Sequence, residues 1–124
     1  MSNFGFERRQ RLLKSSEFKN VFDNVEIKVS GPHFLFLVRQ TDCAQPGRLG
    51  LVVGKKNIKT AVARNRFKRR VRETFRMSQN DLVGLDIIVM ARRGAGELDP
   101  KNLAGMLEKS WLRVKTKHDA IRPK

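Results

Sequence analysis

The cations of one segment, Thr60 to Met77, are the residues whose type and spacing suggest chemistry. Seven Arg or Lys side chains lie between Arg64 and Arg76, against the single acid Glu73. Solvated helix faces usually mix the two signs, because Glu–Lys pairs four residues apart stabilise a helix and like charges at that spacing destabilise it. A helix with so many like charges, despite their mutual repulsion, is typical of proteins that bind a polyanion. Most of these cations are Arg, whose planar guanidinium can hold a phosphate with two hydrogen bonds or stack on a base.

The same segment also carries an apolar stripe at four-residue spacing, formed by Ala63, Phe67, Val71 and Phe75. At about 100° per residue these side chains share one face of a helix, which we expect to pack on a sheet. The opposite face then carries Asn65, Arg69, Arg72 and Arg76. The flanks carry Arg66 and Arg70 on one side, and Arg64 and Lys68 on the other. The segment therefore predicts a helix anchored by one face, with cations on its outer face and both flanks.

The residues that could perform catalysis do not form a recognisable set. His33, His118 and Cys43 have the spacing of neither a catalytic triad nor a metal site, and the acids are scattered along the chain. A single cysteine predicts no disulfide framework, and the N-terminal MSNFGFERRQRLL has no apolar stretch long enough for a signal peptide. We therefore expect no catalytic residue and no metal ligand from the protein, and a cytoplasmic location.

The overall charge favours a nucleic acid as the partner. The chain has 124 residues, with 27 Lys or Arg against 12 Asp or Glu, and a formal net charge of +15. A membrane is not expected as a partner, because no apolar run approaches about 18–20 residues. DNA is not expected either, because a helix-turn-helix needs a second helix just upstream, whereas an apolar strand precedes the basic helix. RNA, recognised by its shape and its phosphates on a rigid scaffold, fits better.

The other segments predict the scaffold that positions this helix. We expect a first helix over 16–24 capped by Ser15, a final helix over about 100–117 with Trp111 in the core, and strands at 34–38, 48–54 and 85–91. The strands on either side of the basic helix should be parallel, and the general rule predicts a right-handed crossover between them. One RNA-binding domain, 1–124, follows, with a basic N-terminal arm at 1–14 and a flexible C-terminal tail at 118–124. The fold class is α+β, an α/β sandwich with one mixed sheet.

At this point three segments show a family resemblance. GLVVGKKNIKTAVARNRFKRRVRETFR, with its Arg64, Asn65 and Arg66 motif, closely resembles the strand–helix segment of the bacterial ribonuclease P protein subunit. RLLKSSEFKNVF resembles the first helix of that family and its approach, and LDIIVMARRG resembles its fourth strand and the loop that follows. The resemblance extends from about Arg11 to Val114. Phe67 departs from it, because the family more often has a branched aliphatic residue there.

The resemblance implies a fold and a function. The fold would be ribosomal-protein-S5-domain-2-like, with a mixed sheet of about four strands and an unusual left-handed βαβ crossover, contrary to the general rule. The protein would partner a large RNA that holds the active site, and the complex would remove the 5′ leader of precursor tRNA by Mg²⁺-dependent hydrolysis. The ions would be held mainly by the RNA subunit, no catalytic side chain would come from the protein, and no further protein partner would be required.

The resemblance also assigns site residues. RNA contact on the basic helix is assigned to Arg64, Asn65, Arg66, Lys68, Arg69, Arg72 and Arg76. Loop residues Lys55 and Lys56 would hold backbone phosphates, although exposed loop lysines are the alternative. Apart from the resemblance, Arg92 and Arg93 are candidates for the RNA surface because they follow the third predicted strand. A cleft for the single-stranded leader is assigned to Phe18, Phe22, Leu35, Leu37 and Val52. The alternative for these apolar side chains is an ordinary hydrophobic core.

Two rival functions remain open at this stage. The first is a general RNA-binding module, such as a ribosomal protein or an RNA chaperone, which would use the same basic helix without a role in cleavage. The second is a nuclease that acts without an RNA subunit, which the absence of an acid–base constellation disfavours.

Overall fold

The computed structural model describes residues 11–41 and 45–121. Four strands and three helices, in the order α1-β1-β2-β3-α2-β4-α3, make up the fold. Their bounds are α1 Ser15–Asp23, β1 Ile27–Ser30, β2 Phe34–Gln40, β3 Arg48–Val52, α2 Ala61–Ser78, β4 Leu85–Ala91 and α3 Pro100–Ile121. Short 3₁₀ turns follow α2 at Gln79–Asp81 and β4 at Ala95–Glu97. Most of the predicted N-terminal arm, Cys43 and the last three residues lie outside the described residues.

The strands form one mixed sheet in the order β1-β2-β4-β3. The pairs β1–β2 and β2–β4 are antiparallel, and β3–β4 is parallel. This confirms the predicted α+β architecture and the parallel strands on either side of α2. The sequence did not reveal β1, because its four residues form a short edge strand in which only Ile27 and Val29 are buried.

Backbone hydrogen bonds determine the hand of the β3–α2–β4 connection. The carbonyl oxygens of Phe34 and Val38 accept from the N–H groups of Gly31 and Glu26, so they point towards β1, while their side chains lie in the core under α2. For L-residues, β1 then lies to the right of an upward-running β2 seen from the helices, and β4 and β3 lie to its left. When the view is rotated by 180° in the plane of the sheet, β3 and β4 run upwards and β4 lies to the left of β3. The chain therefore passes from right to left through α2, which lies on the viewer's side. The crossover is left-handed. The hand that the family resemblance implies is therefore confirmed, and the right-handed prediction from the general rule is wrong.

The larger core lies between the sheet and the pair α2 and α3. The ring of Trp111 on α3 lies edge-on to Phe36 at 4.6 Å between centroids, and to Phe75 at 5.5 Å. Its indole Nε1 donates to Thr74 Oγ1 at 2.8 Å. The predicted position of Trp111 in the core is confirmed, and this layer holds α2 in a fixed orientation on the sheet.

The other face of the sheet carries α1 and a smaller apolar cluster. Leu12, Val21, Leu37 and Ile88 are its buried members. Leu12 belongs to the segment before α1. Its backbone N–H donates a hydrogen bond to Leu49 O at 3.0 Å. This segment and α1 cover only part of the sheet, because Leu35, Val52 and Met90 remain partly exposed.

Three predicted boundaries are wrong. The arm at 1–14 is wrong at its end, because Arg11 bridges to Leu49 and Leu12 is buried. The flexible tail at 118–124 is wrong for 118–121, because α3 continues to Ile121 and His118 is buried on the stripe of Val114. Ser15 is inside α1 rather than its cap, since the helix starts there after Lys14.

Candidate nucleic-acid interface

The position of α2 follows from its apolar face and its cap. Thr60 Oγ1 accepts a hydrogen bond from Ala63 N at 3.1 Å, so the predicted cap is confirmed. Phe67, Val71 and Phe75 are buried against the sheet. The face opposite this stripe is therefore turned away from the core, as the four-residue spacing predicts.

A groove of about 370 Å³ runs along the outward face of α2. Its lining residues are Asn65, Arg69, Arg72, Glu73 and Arg76. These include all four residues that the sequence places opposite Phe67. Asn65 and Arg69 are exposed, whereas Arg72 and Arg76 are half-buried. The structure therefore brings the four predicted residues together around one space, next to one acid.

Two guanidinium nitrogen atoms in this groove lack acceptors within the described ranges. The Nε atoms of Arg72 and Arg76 are buried and have no hydrogen-bond partner there. Burial first, and then the nearby cation of Arg11, lower the pKa of Arg72. Both effects disfavour the charged form, and a bound anion would relieve both of them. The groove therefore has the donors and the electrostatic deficit of an anion-binding site.

The flank cations have different surroundings. Arg64 Nη1 donates to the carbonyl oxygens of Ile58 and Lys59 at 3.0 and 2.9 Å, so this side chain fixes the loop that leads into α2. Arg70 forms an ion pair with Glu73 at 3.0 Å. Arg66 is exposed and Lys68 is half-buried. Of the three residues in the Arg-Asn-Arg motif, Asn65 and Arg66 face solvent and Arg64 is tied to the backbone.

A second basic site lies between the β3–α2 loop and the β4–α3 loop. A cavity of about 620 Å³ there is lined by Lys56, Lys59 and Arg93 among other residues. The loop is held in place by buried Ile58 and by Asn57 Nδ2, which donates to Ala91 O at 2.9 Å. No sequence signal distinguished Lys59, because it and Arg93 line one cavity from two loops that are distant in sequence.

The remaining basic predictions have separate places. Lys55 is exposed and does not line the cavity, although its neighbour Lys56 does. Arg92 Nη1 donates to Gly31 O at 2.8 Å and to Ser30 Oγ at 3.2 Å. Arg92 therefore holds the turn between β1 and β2, whereas the side chain of Arg93 faces the cavity.

Four of the five predicted cleft residues meet on the α1 face of the sheet. Phe18, Leu35 and Val52 are half-buried around buried Leu37. Phe22 is not a member of this cluster and is 43% exposed, so the structure does not place it with the others. One helical residue before it, Val21 is fully buried and takes the inward position.

Two further residues of this face escaped the sequence reasoning. Met90 is half-buried beside Leu35, its partner across the β2–β4 ladder. Gly50 lies directly under the Phe18 ring, where an added Cβ would be 2.7 Å from two ring carbons. Only the pairing of strands and the docking of α1 bring these residues to the cleft.

Within 11–41 and 45–121, no three or more His, Cys, Asp or Glu side chains are grouped so that they could hold a metal ion. No helix in the same ranges combines the length and the apolarity that crossing a membrane requires.

Comparison with known proteins decides the family. The family model described as Ribonuclease P matches residues 6–115. The chain belongs to the ribonuclease P protein family. The ribonuclease P protein component of Stutzerimonas stutzeri is 49% identical over 110 residues, which cover 89% of this chain and 83% of that protein. The component from Pseudomonas aeruginosa is 50% identical over 109 residues, covering 88% and 80%.

Solved structures of ribonuclease P proteins have the same fold. A mutant of the Staphylococcus aureus protein superposes with a TM-score of 0.80 at 28% identity, covering 89% of this chain and 92% of that one. The Thermotoga maritima protein superposes with a TM-score of 0.65 at 30% identity, covering 82% and 97%. This ribonuclease P protein is thus an accessory subunit of an endoribonuclease of tRNA processing and associates with RNase P RNA.

Proposed function

We propose that this ribonuclease P subunit contacts precursor tRNA as well as RNase P RNA, and that it helps the RNA to remove the 5′ leader. The observation that carries the proposal is the groove on α2, where Arg69, Arg72 and Arg76 converge beside Asn65 with buried donors that lack acceptors. Guanidinium groups bind phosphates through two parallel, charge-assisted hydrogen bonds. Asn65 adds an amide that both donates and accepts hydrogen bonds, which suits a ribose or a base edge.

The electrostatic role is to hold two polyanions together. Substrate and catalytic RNA repel each other, and a rigid helix with cations on its outer face lowers that repulsion where the two strands meet. The net charge of +15 serves the same purpose over the whole surface. With about six phosphates neutralised, the logarithm of the binding constant should fall with the logarithm of salt concentration with a slope near −4 to −5.

The leader would occupy the apolar cleft between α1 and the sheet. Phe18 offers a ring face at its wall, and Leu35, Val52 and Met90 form a partly exposed floor. Stacking of a base on an aromatic ring contributes about 1–3 kcal/mol and tolerates different bases. Leu37 is almost completely buried and contributes packing of the floor instead of contact. The cleft therefore suits a single strand of varied sequence.

Magnesium would be held mainly by the RNA. The described residues provide no cluster of carboxylates, the ligands that Mg²⁺ prefers in proteins. The protein would favour Mg²⁺ binding indirectly. Cations such as Arg69 would reduce the electrostatic repulsion between phosphates and so allow the two RNAs to approach each other. The reaction would take place in the cytoplasm, where precursor tRNA is made.

The test is reconstitution of the holoenzyme from RNase P RNA, this protein and precursor tRNA at low Mg²⁺. The protein should restore cleavage, and Arg69→Ala with Arg72→Ala should abolish most of that gain. Lys109→Ala with Arg113→Ala is the matched control, since it removes the same number of cations, both of them exposed, from α3. Binding to RNA without any stimulation of cleavage would instead support a general RNA-binding module. Cleavage by RNA-free protein would support a stand-alone nuclease.

A further inference from the structure

A partly buried charge network, centred on buried Asp86, lies beside the cleft. Asp86 on β4 is 2% exposed, and both of its carboxylate oxygens accept from Arg48, at 2.9 Å from Nε and 2.8 Å from Nη2. Arg39 approaches the same carboxylate at 3.8 Å. The network is separate from the apolar cleft and from the basic groove, because none of its residues lines either of them.

The network extends from the sheet to α1 through Glu17. Arg48 Nη1 donates to Glu17 Oε2 at 2.8 Å, while Glu17 Oε1 accepts from the backbone N–H groups of Leu13 and Lys14 at 2.8 and 2.9 Å. One carboxylate therefore joins the start of α1, the segment before it and β3. Hydrogen bonds to a charged group of this kind are stronger than neutral ones and fix orientation.

Phe18 is the residue next to Glu17, and its ring lies over Gly50 on β3. Gly50, two residues along the strand from Arg48, provides the flat surface under the ring, and Leu12 lies against the same spot. Because side chains alternate along a strand, Arg48 and Gly50 face the same side of the sheet. The ion pair thus fixes the helical residue that precedes Phe18, and the missing side chain at Gly50 leaves room for the Phe18 ring.

We propose that Glu17, Arg48, Asp86 and Gly50 are positioning residues that set the height of the Phe18 ring above the sheet, and thereby the grip of the cleft on single-stranded RNA. The inference rests on the proposed leader-binding role of the cleft. It implies that Glu17 acts on leader binding without touching the leader, since its carboxylate is occupied by Arg48 and two backbone N–H groups.

The first experiment measures affinity of the reconstituted holoenzyme for precursor tRNA and for mature tRNA at fixed Mg²⁺. The ratio of the two affinities isolates the contribution of the leader. Phe18→Ala should reduce this ratio about tenfold, and Glu17→Ala should reduce it several-fold with unchanged affinity for mature tRNA. Glu17→Gln should recover only part of the ratio, because its amide oxygen can still accept from the backbone N–H groups of Leu13 and Lys14, whereas its NH2 group cannot accept from Arg48. Thr74→Val is the control for general destabilisation, as it weakens the core on the opposite face of the sheet.

A double-mutant cycle distinguishes positioning from an independent effect. If Glu17 acts through Phe18, the Glu17→Ala and Phe18→Ala pair should lose no more of the ratio than Phe18→Ala alone. Gly50→Ala should also lower the ratio, since its Cβ displaces the ring. In the free protein, the NMR shift of the Gly50 amide, which lies close to the Phe18 ring, should move in Glu17→Ala and return in part in Glu17→Gln.

The outcomes separate this inference from the proposed function. A normal ratio in Phe18→Ala would overturn both the leader-binding role of the cleft and the positioning role. A reduced ratio in Phe18→Ala with a normal ratio in Glu17→Ala, or with additive losses in the double variant, would overturn the positioning role alone. A ratio lowered equally by Thr74→Val would also overturn it, because loss of stability would then explain the effect.

Discussion

The indole Nε1 of Trp111 donates a 2.8 Å hydrogen bond to Thr74 Oγ1, joining α3 to the inner face of α2. The hydroxyl of Thr74 in turn donates to the carbonyl oxygens of Arg70 or Val71, at 3.0 and 3.1 Å. This buried contact lies on the side of α2 opposite the groove, so the two sides of the helix should respond independently to substitution.

Thr74→Val should destabilise the protein without weakening RNA binding. The substitution keeps the shape of the side chain but leaves the buried indole N–H without an acceptor, which costs about 1–3 kcal/mol. Denaturant unfolding and binding to RNase P RNA measure the two effects. A fall in RNA affinity at temperatures where the variant is fully folded would contradict the separation of the two faces.

Phe67→Ala and Arg69→Ala should have opposite effects. Phe67 is 1% exposed and lies 6.5 Å from the Phe34 ring, so its truncation should cost about 3–5 kcal/mol through a cavity. Arg69 is exposed, so Arg69→Ala should change the free energy of unfolding by no more than about 0.5 kcal/mol and should weaken RNA binding. Thermal melts together with RNA titrations test the pair, and equal melting losses would show that the assignment of the helix faces is wrong.

Arg72→Ala should reduce the salt dependence of RNA binding. If its guanidinium neutralises one phosphate, the slope of log affinity against log salt should become about 0.7–1 less steep. The measurement is a titration of RNase P RNA at several salt concentrations. Lys109→Ala on the exposed face of α3 provides the control and should leave the slope unchanged.

Glu17 should contribute to stability only above acidic pH. Backbone N–H groups of Lys14 and Leu13, followed by the charge of Arg48, lower the pKa of Glu17. Because the folded-state value is below the unfolded one, about 4.3, this stabilisation is complete at neutral pH and is lost as pH falls through the folded-state pKa. Glu17→Gln should therefore be less stable at pH 7, and its free energy of unfolding should fall less steeply as the pH drops below about 4.3. Urea unfolding across this range measures it, and parallel pH profiles for the two proteins would contradict it.

Short-range periodicity determined much of the interface. The stripe of Phe67, Val71 and Phe75 defines the buried face of α2, and the groove then follows from helix geometry alone. The Arg-Asn-Arg motif and its flanking segments identified the family, and Trp111 could be assigned to the core from its stripe. These features depend on residues within a few turns of one another, so the sequence carries them directly.

Only the tertiary structure decided which distant residues meet. Lys59 and Arg93 line one cavity, although they belong to two different loops. On α1, Phe22 is exposed, and Val21 takes the buried position predicted for Phe22. Arg48 binds both Asp86 and Glu17, and Gly50 lies under Phe18 because strand pairing and the docking of α1 bring them together. Neither spacing nor composition encodes such contacts, since they depend on the register of the sheet and on the packing of helices across it.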